Sequence, residues 1–416
     1  MRLFFRCKLH HIMWWSFFNL YHPKMELNSR FDIIIAGSGA AGLTIIWYIL
    51  KSPKLRNKKI LVLDKSISPI NDKTWCYWES ENLEISEFIH HSWSELEVGA
   101  NGKTFSETLT EYNYNCIRNG DYAAAIINKA KELSNITFLE TFINSFKSKD
   151  QFGVVDTESG IFEAPIVFQS VLPSPGFDKS KVDVSLIQHF IGWEIETNRD
   201  VFNPEKAIFM DFNVPQKNGV TFMYVLPTQN NTALVEYTIF SDKLLNENEY
   251  EAEIEDYLEH RYQLTQDDYN VLRKEKGAIP MEDRQFDTWY CDNVMNVGTV
   301  GGLTKPTTGY TFIRIHNQSK EIVSALEQNR KPSVSQSSTY RFRVYDMMLL
   351  NILNTDHEIS LTIFHDLFKK NRFDRILRFL EEKTSIFQEL SIFSTLPYIP
   401  FFKSIYKMKH RIFTGA

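Results

Sequence analysis

The chain has 416 residues, 43 % hydrophobic and 14 % aromatic, with 32 Phe, 18 Tyr and 8 Trp. That length supports more than one cored unit, and the aromatic content fits packed cores or a large apolar ligand or surface. A net charge of −6 gives no basic footprint for nucleic acid, and four scattered cysteines (Cys7, Cys76, Cys116, Cys291) with no CxxC pair argue against a metal site and for a reducing compartment.

Residues 1–29 read as an N-terminal extension. They are basic and carry an apolar patch from Ile12 to Leu20, but Ser16 and Asn19 interrupt it and no small-residue cleavage site follows. Met25, just before the first strand, stands at the usual distance for a native start; an interfacial anchor is the alternative, given the aromatic and basic mix. No run reaches the ~18 apolar residues of a membrane-spanning helix.

Phe31 to Asp64 reads as strand, glycine turn, helix, strand. Ile33 to Ala36 is continuously apolar, as in a parallel strand buried on both faces. In Gly37-Ser38-Gly39-Ala40-Ala41-Gly42, the first glycine permits a tight turn, the second lets backbone approach a pyrophosphate, and the third lets helix and sheet pack closely. The helix start offers N–H donors to phosphate. Ile60 to Leu63 ends at Asp64, where an acid suits a ribose hydroxyl and would repel a 2′-phosphate. Gly37, Ser38, Gly39, Ala41, Gly42, Asp64 and Lys65 are the expected contacts of an adenine dinucleotide.

Residues 65–79 read as a loop by their Ser, Pro and Asn content, unusually aromatic at Trp75, Tyr77 and Trp78 and so suited to closing over something apolar. Residues 93–115 suit short antiparallel strands. Arg118 to Leu133 is an expected helix, with Ala123, Ile126, Ile127 and Ala130 on one face. Ile166 to Ser170 reads as a strand returning to the first sheet. Four further strands are expected at Phe190–Thr197, Ala207–Val214, Val220–Leu226 and Ala233–Phe240. Alternation in the last puts Leu234, Glu236 and Thr238 on one face and Val235, Tyr237 and Ile239 on the other. Asn246 to Tyr262 reads as an acidic, solvated helix. Asn293 to Gly298 is a buried strand running into a second glycine turn and a helix from Ile313. Two such turns far apart are what a long, bent dinucleotide requires, which points to FAD, with Gly301, Gly302, Thr308 and Gly309 as further contacts. Lys331 to Ser338 reads as a linker, and the chain is helical from Tyr340.

The expected architecture is α/β: a Rossmann-type FAD-binding unit (30–185, with inserted strands, returning at 291–330), an antiparallel substrate sheet (186–290) and a helical C-terminal segment (331–416).

With Asp32 and the first glycine turn, Thr74-Trp75, Leu234-Val235-Glu236-Tyr237-Thr238, Gly277-Ala278-Ile279-Pro280-Met281 and Gly301-Gly302-Leu303-Thr304-Lys305-Pro306-Thr307-Thr308-Gly309-Tyr310 in view, residues 30–405 resemble the FAD-containing lycopene cyclases of the bacterial and plant beta-cyclase type. The resemblance implies redox-neutral closure of a beta-ionone ring at linear carotenoid ends, with the glutamate before x-Thr, here Glu236, taking part in cyclisation. Many members carry a second acid directly after it; Tyr237 stands there, which argues against a carboxylate pair within this motif, as does the opposite facing of adjacent strand residues.

The implied reaction adds a proton to an alkene, folds a cation into a ring and loses a different proton. Glu236 is the candidate acid or cation-facing carboxylate, and an apolar site favours its neutral form. Reduced FAD would steady the cation, with NAD(P)H as a flavin reductant, and Trp75, Tyr77, Trp78 and Tyr310 are the expected substrate-lining aromatics, core packing being the alternative for each. Asp72, Glu79 and Asp283 are reserves for proton handling. Lycopene must be drawn from a bilayer, so Phe401, Phe402 and the lysine-rich tail suggest a cytoplasmic protein held peripherally on the inner membrane, a C-terminal helix packed on the core being the alternative. The competing readings are a flavin-dependent monooxygenase or geranylgeranyl (polyprenyl) reductase, which would consume NAD(P)H and change product mass, and a non-catalytic carotenoid or flavin binder.

Overall fold

The computed structural model describes residues 29–80, 84–174, 176–333 and 338–414. The expected extension up to residue 28 and the middle of the expected linker lie outside the described residues.

A six-stranded sheet runs in the order Trp289–Cys291, Val294–Asn296, Ile166–Gln169, Ile33–Ala36, Ile60–Asp64, Ile136–Glu140, parallel except at its first strand. Burial on both faces explains the unbroken apolar runs. Ile33, Ile35, Ile60, Val62 and Phe168 pack with the helices Ala40–Lys51, Asn119–Lys131 and Phe312–Glu327. Ile34, Leu61, Leu63 and Val167 pack against a three-stranded antiparallel layer within residues 143–164. This is the Rossmann-type arrangement expected, and residues 166–169 do return beside the first strand.

A seven-stranded sheet follows the order Tyr269–Glu282, Ser185–Thr197, Thr232–Ser241, Val220–Gln229, Lys206–Asp211, Glu95–Ala100, Lys103–Thr108. Its last two strands come from residues 30–185, the part expected to carry inserted strands within the nucleotide unit. One face packs Val235, Tyr237 and Ile239 under the helix Glu247–Tyr262, whose Tyr250, Ile254, Tyr257 and Leu258 are buried. The other face packs Leu234, Phe222 and Phe240 under the C-terminal helices. The period-2 pattern of residues 234–239 is thus the difference between the two faces of one sheet.

One local expectation fails. Residues 74–79 form a strand, not a loop, pairing antiparallel with Asn113–Arg118. The β-favouring run Thr-Trp-Cys-Tyr-Trp finds a partner far along the chain, which overrides the loop signals just before it.

Candidate active site between the glycine turns and the large sheet

Gly37 is at φ +108°, and a Cβ there would lie 2.1 Å from Ser170 Oγ; a Cβ on Gly42 would lie 1.9 Å from the Gly37 carbonyl oxygen. Both positions therefore require glycine. Gly39 has nothing within 4 Å of a built Cβ, so its outer side is open. The helix that begins at Ala40 has no side-chain cap and no acid in its first turn, leaving its N–H donors available to an anion. Asp64 accepts from the Ser38 N–H at 2.6 Å and from Ser38 Oγ at 2.9 Å, tying the turn to the second strand, and Lys65 beside it is exposed.

The second turn approaches the first. Gly298 sits so near the first helix that a Cβ would be 2.9 Å from Ala41 Cβ. Gly302 and Gly309 hold φ +75° and +72°, and the Gly309 N–H donates to the Lys305 carbonyl at 2.9 Å. A Cβ on Gly301 would meet the Asn296 carbonyl at 2.7 Å. The helix Phe312–Glu327 likewise starts without a side-chain cap or an early acid. Two uncapped helix starts, an open glycine and an acid at the ribose position fit a dinucleotide such as FAD.

From here a cavity of about 450 Å³ extends across the large sheet. Ala40, Thr299, Thr308 and Gly309 line its turn end; Phe190, Leu234, Glu236 and Glu275 line the sheet side; Phe342, Phe364 and Phe379 close it from the helices; Phe393, Leu396 and Phe401 lie at its far side. Trp75 and Tyr310 are also in the lining. Tyr77 and Trp78 are not: Tyr77 is buried against Phe312, and Trp78 packs edge-on behind Tyr310, ring centroids 4.3 Å apart. Both fill core, the alternative held open for them. Asp72 binds Lys73 and Asn119, Glu79 accepts from Asn115, and Asp283 is held by Arg411 and the backbone near Val184; none of the three lines the cavity.

Glu236 is buried in the lining and accepts from Thr238 Oγ1 at 2.7 Å. Burial first, and then the charge and hydrogen bonding of Glu275, push its carboxyl well above the ordinary glutamate range. Glu275 was missed in the sequence. It stands on Tyr269–Glu282, accepts from Thr74 Oγ1 at 2.9 Å and Arg273 Nη1 at 2.6 Å, and its carboxyl is also raised by burial, against the pull of Arg273. Arg273 continues to Glu194 at 2.8 Å, which Arg118 also contacts. The alternating charges of Arg-Lys-Glu-Lys at 273–276 look like an exposed strand in sequence; only the sheet pairing turns Arg273 and Glu275 inward.

The family described as "Lycopene cyclase protein" matches residues 32–406. The chain belongs to the lycopene cyclase family. Among curated relatives, the cyclase is 24 % identical over 399 residues to a lycopene beta-cyclase of Pantoea ananas, covering 90 % of this chain and 97 % of that one. It is 25 % identical over 315 residues to a chloroplastic neoxanthin synthase of Solanum tuberosum, covering 69 % and 58 %. Among solved structures, a geranylgeranyl bacteriochlorophyll reductase-like protein from Thermoplasma acidophilum superposes with TM-score 0.55 at 12 % identity, over 92 % of this chain and 99 % of that one. The flavin-dependent brominase Bmp2 does so with TM-score 0.55 at 12 % identity, over 88 % and 93 %. The fold is that of FAD-dependent oxidoreductases with a Rossmann-type nucleotide unit.

Proposed function

We propose that this cyclase is an FAD-dependent lycopene beta-cyclase, closing beta-ionone rings on the linear ends of lycopene and related carotenoids without net oxidation or reduction. The observation that carries the reading is Glu236: a buried carboxyl without an ion pair among the described residues, facing an aromatic cavity that begins at the glycine turns.

A carboxyl in such a site keeps its proton near neutral pH, because water that would solvate the anion is absent. Glu236 hands this proton to the terminal alkene, leaving a tertiary cation. Trp75 and Tyr310 present ring faces and edges along the cavity, and the phenylalanines exclude the water that would trap the cation. Gly37, Ser38, Gly39, Ala41, Gly42, Asp64 and Lys65 would hold the adenine half of FAD, with Gly301, Gly302, Thr308 and Gly309 toward its ring end. Reduced FAD, when bound, supplies an electron-rich ring that stabilises positive charge, with NAD(P)H as its proposed reductant.

Substrate of this kind resides in lipid. No described helix is long and apolar enough to cross a membrane. The helices Ile386–Phe393 and Tyr398–Lys407 lend Phe393 and Phe401 to the cavity while exposing Phe387, Leu390, Ile399 and Phe402 outward, with Lys403 and Lys407 beside them. This surface suits shallow insertion among lipid tails with lysines at the phosphates, and it supports a route of entry next to the cavity.

Expression in a lycopene-accumulating bacterium tests the reading. Cyclisation yields a beta-ring product of unchanged mass; a gain of oxygen or hydrogen would indicate a monooxygenase or reductase, and unaltered lycopene with retained flavin would indicate a binder.

A further inference from the structure

Gly192 lies at the centre of Ser185–Thr197 and is in register with Glu236 on one side and Glu275 on the other. Residues in register on neighbouring strands point to one face of a sheet. Glu236 and Glu275 are therefore two strands apart, about 10 Å at the backbone, with a bare glycine between them. A Cβ at Gly192 would stand 3.2 Å from Glu236 Cβ and 3.3 Å from Glu275 Cγ, so a glycine here lets the two carboxyls lean together. Both are buried and both line the cavity.

Their support is unequal. Glu275 is held by Thr74 and Arg273, and Arg273 shares Glu194 with Arg118. Two arginines against Glu275 and Glu194 make a neutral set. Glu236 has the Thr238 hydroxyl and the neighbouring Glu275 carboxyl, and no ion pair among the described residues. The other titratable groups facing it are Cys76, Tyr224 and Tyr310, all kept neutral by burial, with Cys116 behind Cys76. Lys73 lines the cavity but its ammonium binds Asp72. An ionised Glu236 would thus add one uncompensated negative charge, whereas a protonated Glu236 completes a neutral cluster.

Resting on the cyclase reading above, we propose that Glu275 is the positioning partner of Glu236: the two carboxyls hold one proton across Gly192, and the pair both gives a proton to the substrate and takes one back. In the forward step the Glu236 O–H bond breaks and the terminal alkene's electron pair forms the new C–H bond. The next double bond's pair then closes the ring. Finally a ring C–H breaks, its electron pair becomes the ring double bond, and its proton returns to Glu236. Protons and electrons balance over the cycle with no oxidant or reductant. Between these steps two anions face each other, and their repulsion drives the pair to recover a proton. The second carboxylate that Tyr237 rules out within the motif is supplied from another strand.

The test is Glu275→Gln in the flavin-loaded protein. Its amide donates to the Glu236 carboxylate and removes the opposing charge, so the alkaline limb of the kcat–pH profile moves down by about one unit or more and kcat near neutral pH falls about tenfold or more, with KM for lycopene within about twofold. Infrared difference titration provides a reading independent of activity: the protonated-carboxyl band absent from Glu236→Gln titrates at lower pH in Glu275→Gln. An unmoved limb and an unmoved band refute the pairing. If Glu275→Gln fails to retain flavin, Gly192→Ala takes its place, with the same downward shift expected and an unmoved band refuting it. A wild-type protein that leaves lycopene untouched overturns the cyclase reading, while the infrared titration still decides whether the carboxyls share a proton.

Discussion

Glu236→Gln separates what the carboxyl does for chemistry from what it costs the fold. The substitution keeps the side-chain shape: the amide oxygen can accept from Thr238, 2.7 Å away in the wild type, and the amide nitrogen can donate to Glu275. Losing the proton donor lowers kcat by about 10²- to 10⁴-fold, the usual scale for a general acid. Stability should move the other way. The folded carboxyl sits well above its unfolded value, so between those two values the folded chain binds more protons than the unfolded one. The stability that Glu236 contributes is fully present below the unfolded value and is lost as pH rises toward the folded one. In that window the slope approaches about 1.4 kcal/mol per pH unit. A unit of this length has an unfolding entropy near 0.9 kcal/mol/K, from about 2.1 cal/mol/K per residue. The Tm advantage of Glu236→Gln over wild type should therefore grow by about 1.5 °C per pH unit across the window and vanish at acid pH. Thermal melts followed by circular dichroism at saturating FAD, with chromatographic product assays on the same samples, measure both. A variant with near wild-type turnover, or a Tm difference flat with pH, refutes the placement of a protonated Glu236 in a dry site.

Gly42→Ala puts a methyl group 1.9 Å from a backbone carbonyl that cannot swing aside, so the purified protein should lose the visible flavin absorbance that wild type retains. Phe387→Ser with Phe402→Ser removes two side chains that are 85 % and 65 % exposed, so melting temperature should hardly change. Binding to anionic vesicles in a sedimentation assay should drop about tenfold or more, since each buried Phe is worth about 1.5–3 kcal/mol; unchanged binding would refute this surface as a membrane contact.

The parts legible in the sequence are those whose signal is local. The glycine turn with its flanking apolar strands is fixed by backbone sterics and by burial on both faces, and alternation through residues 234–239 reflects the two sides of one sheet. What could not be read depends on pairing between distant segments. Residues 74–79 become a strand only because Asn113–Arg118 lies beside them. Glu95–Thr108 joins the large sheet through a parallel contact with Lys206–Asp211. Lys305, prominent in the Gly-Gly-Leu-Thr-Lys-Pro segment, is buried and pairs with Asp346 and Glu382, at 2.9 Å from each, binding the C-terminal segment to the second glycine turn. No spacing within residues 298–311 could have announced those partners.

The same distinction bears on the proposed acid pair, which sheet geometry assembles and a single motif could not. A strand can present only alternate residues to a cavity, so a single segment cannot bring two adjacent carboxyls to one point. Two strands with a glycine strand between them can, and that arrangement carries a second advantage. Arg273 pairs with Glu275 at 2.6 Å and is not among the residues lining the cavity, so charge compensation need not enter it. A cation placed directly on Glu236 would fix it as a carboxylate and remove the proton donor; left without compensation, Glu275 would be protonated as well and would no longer oppose the anion that forms when Glu236 gives up its proton. In the proposed pairing, one cation, one step removed, leaves one proton for two carboxyls, a state suited to a reaction that begins with protonation and ends with deprotonation.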